Sequence, residues 1–183
     1  MENRWIHNGY VLRAAVKEDM YDYCMKYAPL DAEAAHMTCN PVYSDPSMVM
    51  GFFDRVLKDE NYHLFVLLNP KGQLIGETAL NEGEDNTASF RICIFDPDER
   101  GKGLGSWAIG RMMQYAFDAL GMEEINLEVL SENERAIAAY RHHDFISTGR
   151  EDRMILMECR RRQYEKEKRE TERSEPYRFS LQG

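Results

Sequence analysis

Between Phe95 and Trp107 the chain reads Asp-Pro-Asp-Glu-Arg-Gly-Lys-Gly-Leu-Gly-Ser, and this string restricts the fold more than any other. Ahead of it, Thr87–Phe95 alternates: Phe90, Ile92 and Ile94 face one way and Arg91, Cys93 and Phe95 the other, as in a strand. Behind it, Leu104, Ala108, Met112, Ala116 and Leu120 recur at helical spacing, and Gly121 is placed to cap the helix. The segment is therefore a strand–turn–helix unit whose turn carries Gly101, Gly103 and Gly105. Glycines free the backbone so that successive N–H groups can converge, and a helix start offers orphan donors and a positive dipole end. Arg100 and Lys102 add cations and Ser106 adds a hydroxyl. A surface connection that merely tolerates glycine does not call for this company. The turn reads as a phosphate site.

Two phosphate-binding patterns can be compared with it. A Walker A loop needs G-x-x-x-x-G-K-S/T, which is absent. Gly103-x-Gly105-x-x-Ala108 matches the G-x-G-x-x-A dinucleotide form, and Glu128 sits at a plausible ribose-binding distance. However, Asp96–Lys102 separates the strand from the first matching glycine, where that fingerprint needs a tight turn. Hairpin strands precede the motif, and too little chain follows to complete a doubly wound sheet.

The rest of the chain supplies the frame. A first strand is expected over 10–15 and a helix through Met20, Tyr23, Cys24 and Tyr27. Residues 28–44 read as a loop with a helical turn near Ala32–His36. Asp45-Pro46 is a helix start, followed by Val49, Phe52, Phe53 and Val56 on one face to about Lys58. Strands are expected over 63–68, 73–80, 87–95, 124–130, 145–149 and 154–159. Ser131-Glu132-Asn133-Glu134 fits a capping box that opens a helix running to about His143. The fold class is α/β: one domain over residues 1–159 with a mixed sheet, and a charged extension over 160–183. That extension reads as a solvated helix or tail, and Tyr177, Phe179 and Leu181 alternate as an edge strand would.

In this order the motifs resemble the GNAT (GCN5-related N-acetyltransferase) superfamily over about residues 10–158. Arg100-x-x-Gly103-x-Gly105 matches its Gln/Arg-x-x-Gly-x-Gly/Ala signature. Asn133-x-x-Ala136-x-x-x-Tyr140, followed by Phe145, is similar to its second motif, with Asp144 standing where a glycine is usual. Gly76-Glu77, Leu80-Asn81 and Phe90-Arg91-Ile92 resemble the branch of ribosomal-protein and polyamine acetyltransferases. The resemblance implies a mostly antiparallel sheet flanked by helices with splayed central strands, and acetyl-CoA as cosubstrate. It implies that Arg100, Gly101, Lys102, Gly103, Leu104, Gly105 and Ser106 hold the pyrophosphate. Main-chain groups of Ile92 and Ile94 would bind pantetheine and the acetyl oxygen.

Acetyl transfer to an amine needs a neutral nucleophile, a polarised carbonyl and a proton for the departing thiolate. Tyr140 is the candidate acid, since a phenol's usual pKa of about 10 lies near that of an alkyl thiol. Asn133 lies about 10 Å, two helical turns, before Tyr140 on the same face, in position to touch the pantetheine arm. Glu77 and Glu128 are the candidate bases or amine-binding carboxylates, although each also reads as a surface carboxylate. Glu33 and His36 flank the same cleft.

Composition sets the outer bounds. The net charge is −9. From Arg160 onward eight Lys/Arg oppose five Asp/Glu, so residues 1–159 carry −12. Such a body disfavours nucleic acid and attracts a cationic substrate, as it also serves solubility. No apolar run reaches the ~20 residues of a membrane span. The segment from Met1 to Trp5 lacks a signal-peptide core, so a cytoplasmic protein is expected. Cys24, Cys39, Cys93 and Cys159 lack metal or disulfide spacing, and no metal is expected. The acceptor expected is a small-molecule or peptide amine. The short Arg150–Arg153 connection leaves an open cleft or one walled by a second subunit, as in a homodimer. A non-catalytic acyl-CoA sensor or assembly module is the alternative function, and a dinucleotide oxidoreductase the third.

Overall fold

A computed structural model describes residues 3–27, 32–38 and 46–174. Strands β1 (Arg4–His7) and β2 (Tyr10–Ala14) form a hairpin. Asn8 and Gly9, at φ 48° and 82°, make its two-residue turn. The sequence reading began at Tyr10 and missed β1. Asn-Gly between two short apolar runs was the available signal, because both residues tolerate the left-handed backbone such a turn needs.

Helices α1 (Met20–Tyr27), α2 (Ala32–Met37) and α3 (Pro46–Val56) precede strands β3 (Tyr62–Leu68), β4 (Leu74–Glu82) and β5 (Thr87–Ile94). The expected Asp45 cap and the loop residues 28–31 and 39–45 lie outside the described residues. Helix α4 (Leu104–Gln114) follows the glycine turn and ends in a wider π-helical turn over Tyr115–Ala119. Gly121, at φ 74°, turns the chain into β6 (Glu124–Leu130). Helix α5 (Glu134–His142), strands β7 (Ile146–Glu151) and β8 (Met154–Arg160), and α6 (Arg161–Ser174) complete the order.

The eight strands run β1-β2-β3-β4-β5-β6-β8-β7, antiparallel except for β5 with β6. This is not the doubly wound parallel sheet a dinucleotide fold requires. β5 and β6 pair only over Thr87–Ser89 and Glu124–Asn126. Beyond Ser89, β5 stays with β4 as far as Ile94, opposite Gly76. β6 stays with β8 as far as Leu130, opposite Met154. The two central strands therefore splay apart, leaving a gap with no inter-strand ladder across it.

Each sheet face has its own core. On one, the α4 stripe Leu104, Ala108, Met112 and Ala116 is buried with Ile109, Met113 and Phe117 against Phe90, Ile125, Leu127 and Val129. On the other, Tyr23, Val49 and Phe53 of α1 and α3 cover Leu64, Val66, Cys93 and Phe95. Each large apolar side chain buried this way contributes about 1.5–3 kcal/mol. The alternation read in Thr87–Phe95 is the division between the two cores.

The expected capping box is corrected. Asn133, not Ser131, caps α5: its Oδ1 accepts from Ala136 N at 3.2 Å. Ser131 N–H instead donates to Arg153 O, tying Ser131 to the β7–β8 turn, so the helix starts two residues later. Asp144, in the place of the usual glycine, adopts φ 61°. Aspartate, like asparagine, is among the few residues that enter this region readily, so the departure keeps the backbone path.

The charged extension is helical from Arg161 and docked at its start. Arg161 Nη2 donates to Phe117 O at 2.7 Å and Met122 O at 2.8 Å. Tyr164 stacks on Phe117 at 4.9 Å between ring centres. The Tyr177, Phe179 and Leu181 alternation lies outside the described residues. Among the described residues, no helix is long and apolar enough to cross a membrane.

Candidate active site

The gap between β5 and β6 opens into a cavity of about 520 Å³. Of the sequence-predicted residues, Glu77, Ile92, Ile94, Arg100, Gly101, Gly103, Leu104, Gly105, Ser106, Glu128, Asn133 and Tyr140 line it. Lys102 does not line it: its Nζ donates to Glu99 Oε2 at 2.7 Å, and Tyr10 Oη donates to the same oxygen at 2.8 Å. These bonds, Lys102 first, hold Glu99 below the usual carboxylate range, and Glu99 in turn raises Lys102.

At the mouth of the cavity the turn is shaped by Gly101 and Gly103, both left-handed at φ 77° and 79°. Gly105 has no such angle. A Cβ built there meets nothing of the protein within 4 Å. The protein leaves open the space a ligand would approach, directly over the first-turn N–H groups of α4. Arg100 is turned inward, 11% exposed. Its Nε donates to Ile94 O at 3.0 Å and its Nη2 to Phe95 O at 3.2 Å, while Nη1 lies 3.6 Å from Glu33. Arg100 thus fastens the end of β5 to the turn. The turn's other donors are main-chain N–H groups and the Ser106 hydroxyl.

Phe95 N–H donates to Ile75 O on β4. Strand alternation then points the main-chain groups of Cys93 toward β4 and those of Ile92 and Ile94 into the gap. The Ile94 carbonyl is taken by Arg100. That leaves the Ile92 main chain and the Ile94 N–H as the gap-facing groups.

On the α4 face, Tyr140 is 7% exposed, between Phe90 at 6.3 Å and Phe145 at 5.7 Å. Burial pushes its phenol well above the ordinary value, with a smaller contribution from Cys93. The match to a thiol in water therefore does not describe this wall, but a thiolate formed beside it would meet the same desolvation. Asn133 Oδ1 is used in the cap, so its amide nitrogen is the group left to meet a ligand.

The carboxylates lie on the opposite face. Leu127 and Val129 enter the α4-side core, so Glu128 projects the other way and is exposed. Glu77 is not a surface carboxylate. It is 2% exposed, with Oε1 bonded to Arg91 and Oε2 accepting from Tyr23. Of the cleft-flanking candidates, Glu33 lines the cavity, whereas His36 pairs with Glu132. Arg91, quoted from the sequence only within the branch resemblance, and Arg135, given no role there, also line it. Arg135 could have been found from its place in the first turn after Asn133. Among the described residues, no cluster of three or more His, Cys, Asp or Glu is placed to hold a metal ion.

Comparison with known proteins gives this geometry its context. Spermidine N(1)-acetyltransferase of Escherichia coli (strain K12) is 32% identical over 99 residues, 53% of this chain and 52% of that protein. The match thus spans about half the length of this relative. The fold is similar to that of spermidine N-acetyltransferase from Vibrio cholerae in complex with CoA and spermine. There the TM-score is 0.75 at 22% identity, over 86% of this chain and 99% of the other. A dodecameric structure of spermidine N-acetyltransferase from the same organism gives 0.69 at 22% identity, over 86% and 97%. Residues 19–145, from α1 to the end of the Asn133–Phe145 motif, match the model of the acetyltransferase (GNAT) family. The chain belongs to the acetyltransferase (GNAT) family.

Proposed function

We propose that the protein transfers the acetyl group of acetyl-CoA directly to a primary amine, and that the amine belongs to a small polyamine. The gap between β5 and β6 carries this reading. It joins the glycine turn, Asn133 and Tyr140 on one face to Glu77 and Glu128 on the other.

The residues present fit the cosubstrate. The main-chain N–H groups from Gly101 to Ser106 would hold its pyrophosphate, and the Ile92 and Ile94 main chain its pantetheine arm. When bound, acetyl-CoA supplies an activated acyl carbon and a thiolate leaving group. Gap-facing N–H groups of β5 stabilise the negative charge that develops on the acyl oxygen during attack. Tyr140 gives its proton to the departing sulfur, and its burial keeps it in the O–H form that this requires.

On the acceptor side Glu77 and Glu128 divide the work. Both oxygens of Glu77 are engaged, so it sets the local potential rather than taking a proton. Glu128 is exposed on the other strand of the gap, where it can draw in an ammonium group and pass its proton to water. Glu33 adds a third carboxylate. Such a row suits a chain of amines, which is the class named for the relatives.

A thiol-release assay with acetyl-CoA tests the proposal on spermidine, spermine, a monoamine and amino-terminal peptides. Amine-dependent release highest with the polyamines is expected. Release with peptides alone would remove the polyamine assignment, and no release with any amine would remove the catalytic one.

A further inference from the structure

We propose that His143 is a positioning residue for Ser106: its Nε2 donates to Oγ and so turns the Ser106 proton toward the anion held at the glycine turn. The proposal rests on the reading of that turn as the coenzyme A pyrophosphate site.

The two side chains come from different elements. Ser106 lies in the first turn of α4 and lines the cavity. His143 follows the last turn of α5, three residues after Tyr140, and reaches Ser106 with Nε2 2.9 Å from Oγ. Its ring is seated against bare backbone. A Cβ on Gly110 would meet His143 Cε1 at 3.1 Å, so a glycine one turn after Ser106 makes room for the imidazole. His143 does not line the cavity itself and acts through the hydroxyl.

A serine hydroxyl has one proton. If it donates to an unprotonated Nε2, Ser106 presents only lone pairs to the cavity, and lone pairs repel phosphate. If Nε2 carries a hydrogen, Oγ accepts it and the serine proton is free for the ligand. Three neighbours bear on this ring besides its burial. His142 disfavours a proton, while the Ser106 backbone and Asp144 favour one. Burial is the largest influence and depresses the imidazole, which favours its neutral form. A bound dianion opposes burial. It favours both the Nε2–H tautomer and the imidazolium. By linkage, affinity for the anion must then rise as pH falls through the titration of His143.

The test is calorimetric titration of the full chain with coenzyme A from pH 5 to 8, on wild type, His143→Gln, His143→Leu and Ser106→Ala. Glutamine keeps an Nε2 donor and cannot titrate, so it also subtracts the ligand's own phosphate ionisation. The wild type should gain about three- to tenfold in affinity below pH 6.5 relative to His143→Gln, which should match it at pH 8. His143→Leu should lose the gain below pH 6.5, and so should Ser106→Ala, because both break the same Nε2–Oγ link. Nuclear magnetic resonance of the labelled histidines should show the His143 titration moving up when coenzyme A is added. Identical pH dependence in wild type and His143→Gln, with His143 unmoved by coenzyme A, would overturn the proposal while leaving the site intact. Absence of binding to wild type would instead remove the site. If His143→Leu fails to fold, His143→Gln and the resonance shift still decide.

Discussion

Arg91 and Glu77 sit diagonally across neighbouring strands β5 and β4, and the guanidinium is the buried carboxylate's cationic partner. Arg91 Nη2 bonds Glu77 Oε1 with the Arg91 side chain 34% exposed and that of Glu77 2% exposed. Removing the arginine would strand a charge where water cannot reach it. A fully buried pair broken this way costs about 3–5 kcal/mol and an exposed one under about 1. The half-open geometry places Arg91→Gln near about 2 kcal/mol, or about 4–8 °C in Tm for a chain of this size. The double variant with Glu77→Gln should recover most of that loss. Thermal unfolding of the three variants checks it, and a double variant no more stable than Arg91→Gln would count against the pairing.

Tyr140→Phe preserves the ring packing against Phe90 and Phe145 and removes only the hydroxyl. The expected outcome is a fall in kcat of about 10²–10⁴ with acetyl-CoA affinity unchanged within a factor of about three. Equal losses in both would remove the acid role. The raised phenol also makes a stability prediction. Above pH ~10 an unfolded tyrosine ionises while the buried one does not, so the unfolded state binds fewer protons and stability falls as pH rises. Between pH 9 and 11, Tyr140→Phe should lose less stability than wild type, as measured by denaturant titration.

Gly105 and Gly103 separate binding from folding. At Gly103 a side chain must enter the left-handed region, so Gly103→Ala should cost about 1–2 kcal/mol of stability. Gly105 has an unstrained helical position and open space above it. Gly105→Ala should leave Tm unchanged or raised by about 1–3 °C, since alanine is the better helix former. The signature admits alanine here, so coenzyme A binding should stay within a factor of about three, whereas Gly105→Leu should weaken it at least about tenfold by filling the ligand's approach. Calorimetry and thermal unfolding on these variants distinguish the two effects.

Local patterns carried much of this molecule in its sequence. Alternation in Thr87–Phe95 separated the two cores correctly, and the stripe at every fourth residue from Leu104 to Leu120 marked the buried face of α4. What escaped was decided by partners distant in sequence. Ser131 looked like a cap until its N–H was committed to Arg153. Arg100 and Lys102 differ: each bonds groups only three to six residues away, the β5 carbonyls and Glu99, and Arg100 still lines the cavity. Glu77 read as a surface carboxylate because nothing near it in sequence announces Arg91 and Tyr23. The β1 hairpin is different, since Asn8-Gly9 was a local signal that could have been used.

Asp144 offers a test of how the chain tolerates its departure from the family motif. Its φ of 61° suits glycine better than any other residue. Asp144→Gly should therefore be neutral or stabilising by up to about 1 kcal/mol, and Asp144→Ala destabilising by about 1. Both keep Phe145 in sequence, so kcat should follow only through its packing on Tyr140. A strongly destabilised Asp144→Gly would show that the carboxylate, not the backbone, is what this position requires.

Arg161 decides whether the charged helix is a tail or part of the body. Its guanidinium caps two carbonyls, Phe117 O and Met122 O, at the end of the π-helical turn, and lies 5.8 Å from the Phe117 ring centre. Charge-assisted bonds to groups that are otherwise left unpaired are worth about 1.5–3 kcal/mol each in burial, and less where water can replace them. Arg161 is a quarter exposed, so Arg161→Ala should cost about 1–2 kcal/mol in total. Tyr164, the Lys168–Asp118 ion pair and the main-chain N–H bond from residue 161 to Glu123 O would remain to hold α6. The expected result is trypsin cleavage within 161–169 at least about tenfold faster than in wild type, with the domain core intact. Cleavage at the wild-type rate would mean that α6 opens regardless of Arg161, and that its contacts to Phe117 and Met122 contribute no measurable docking.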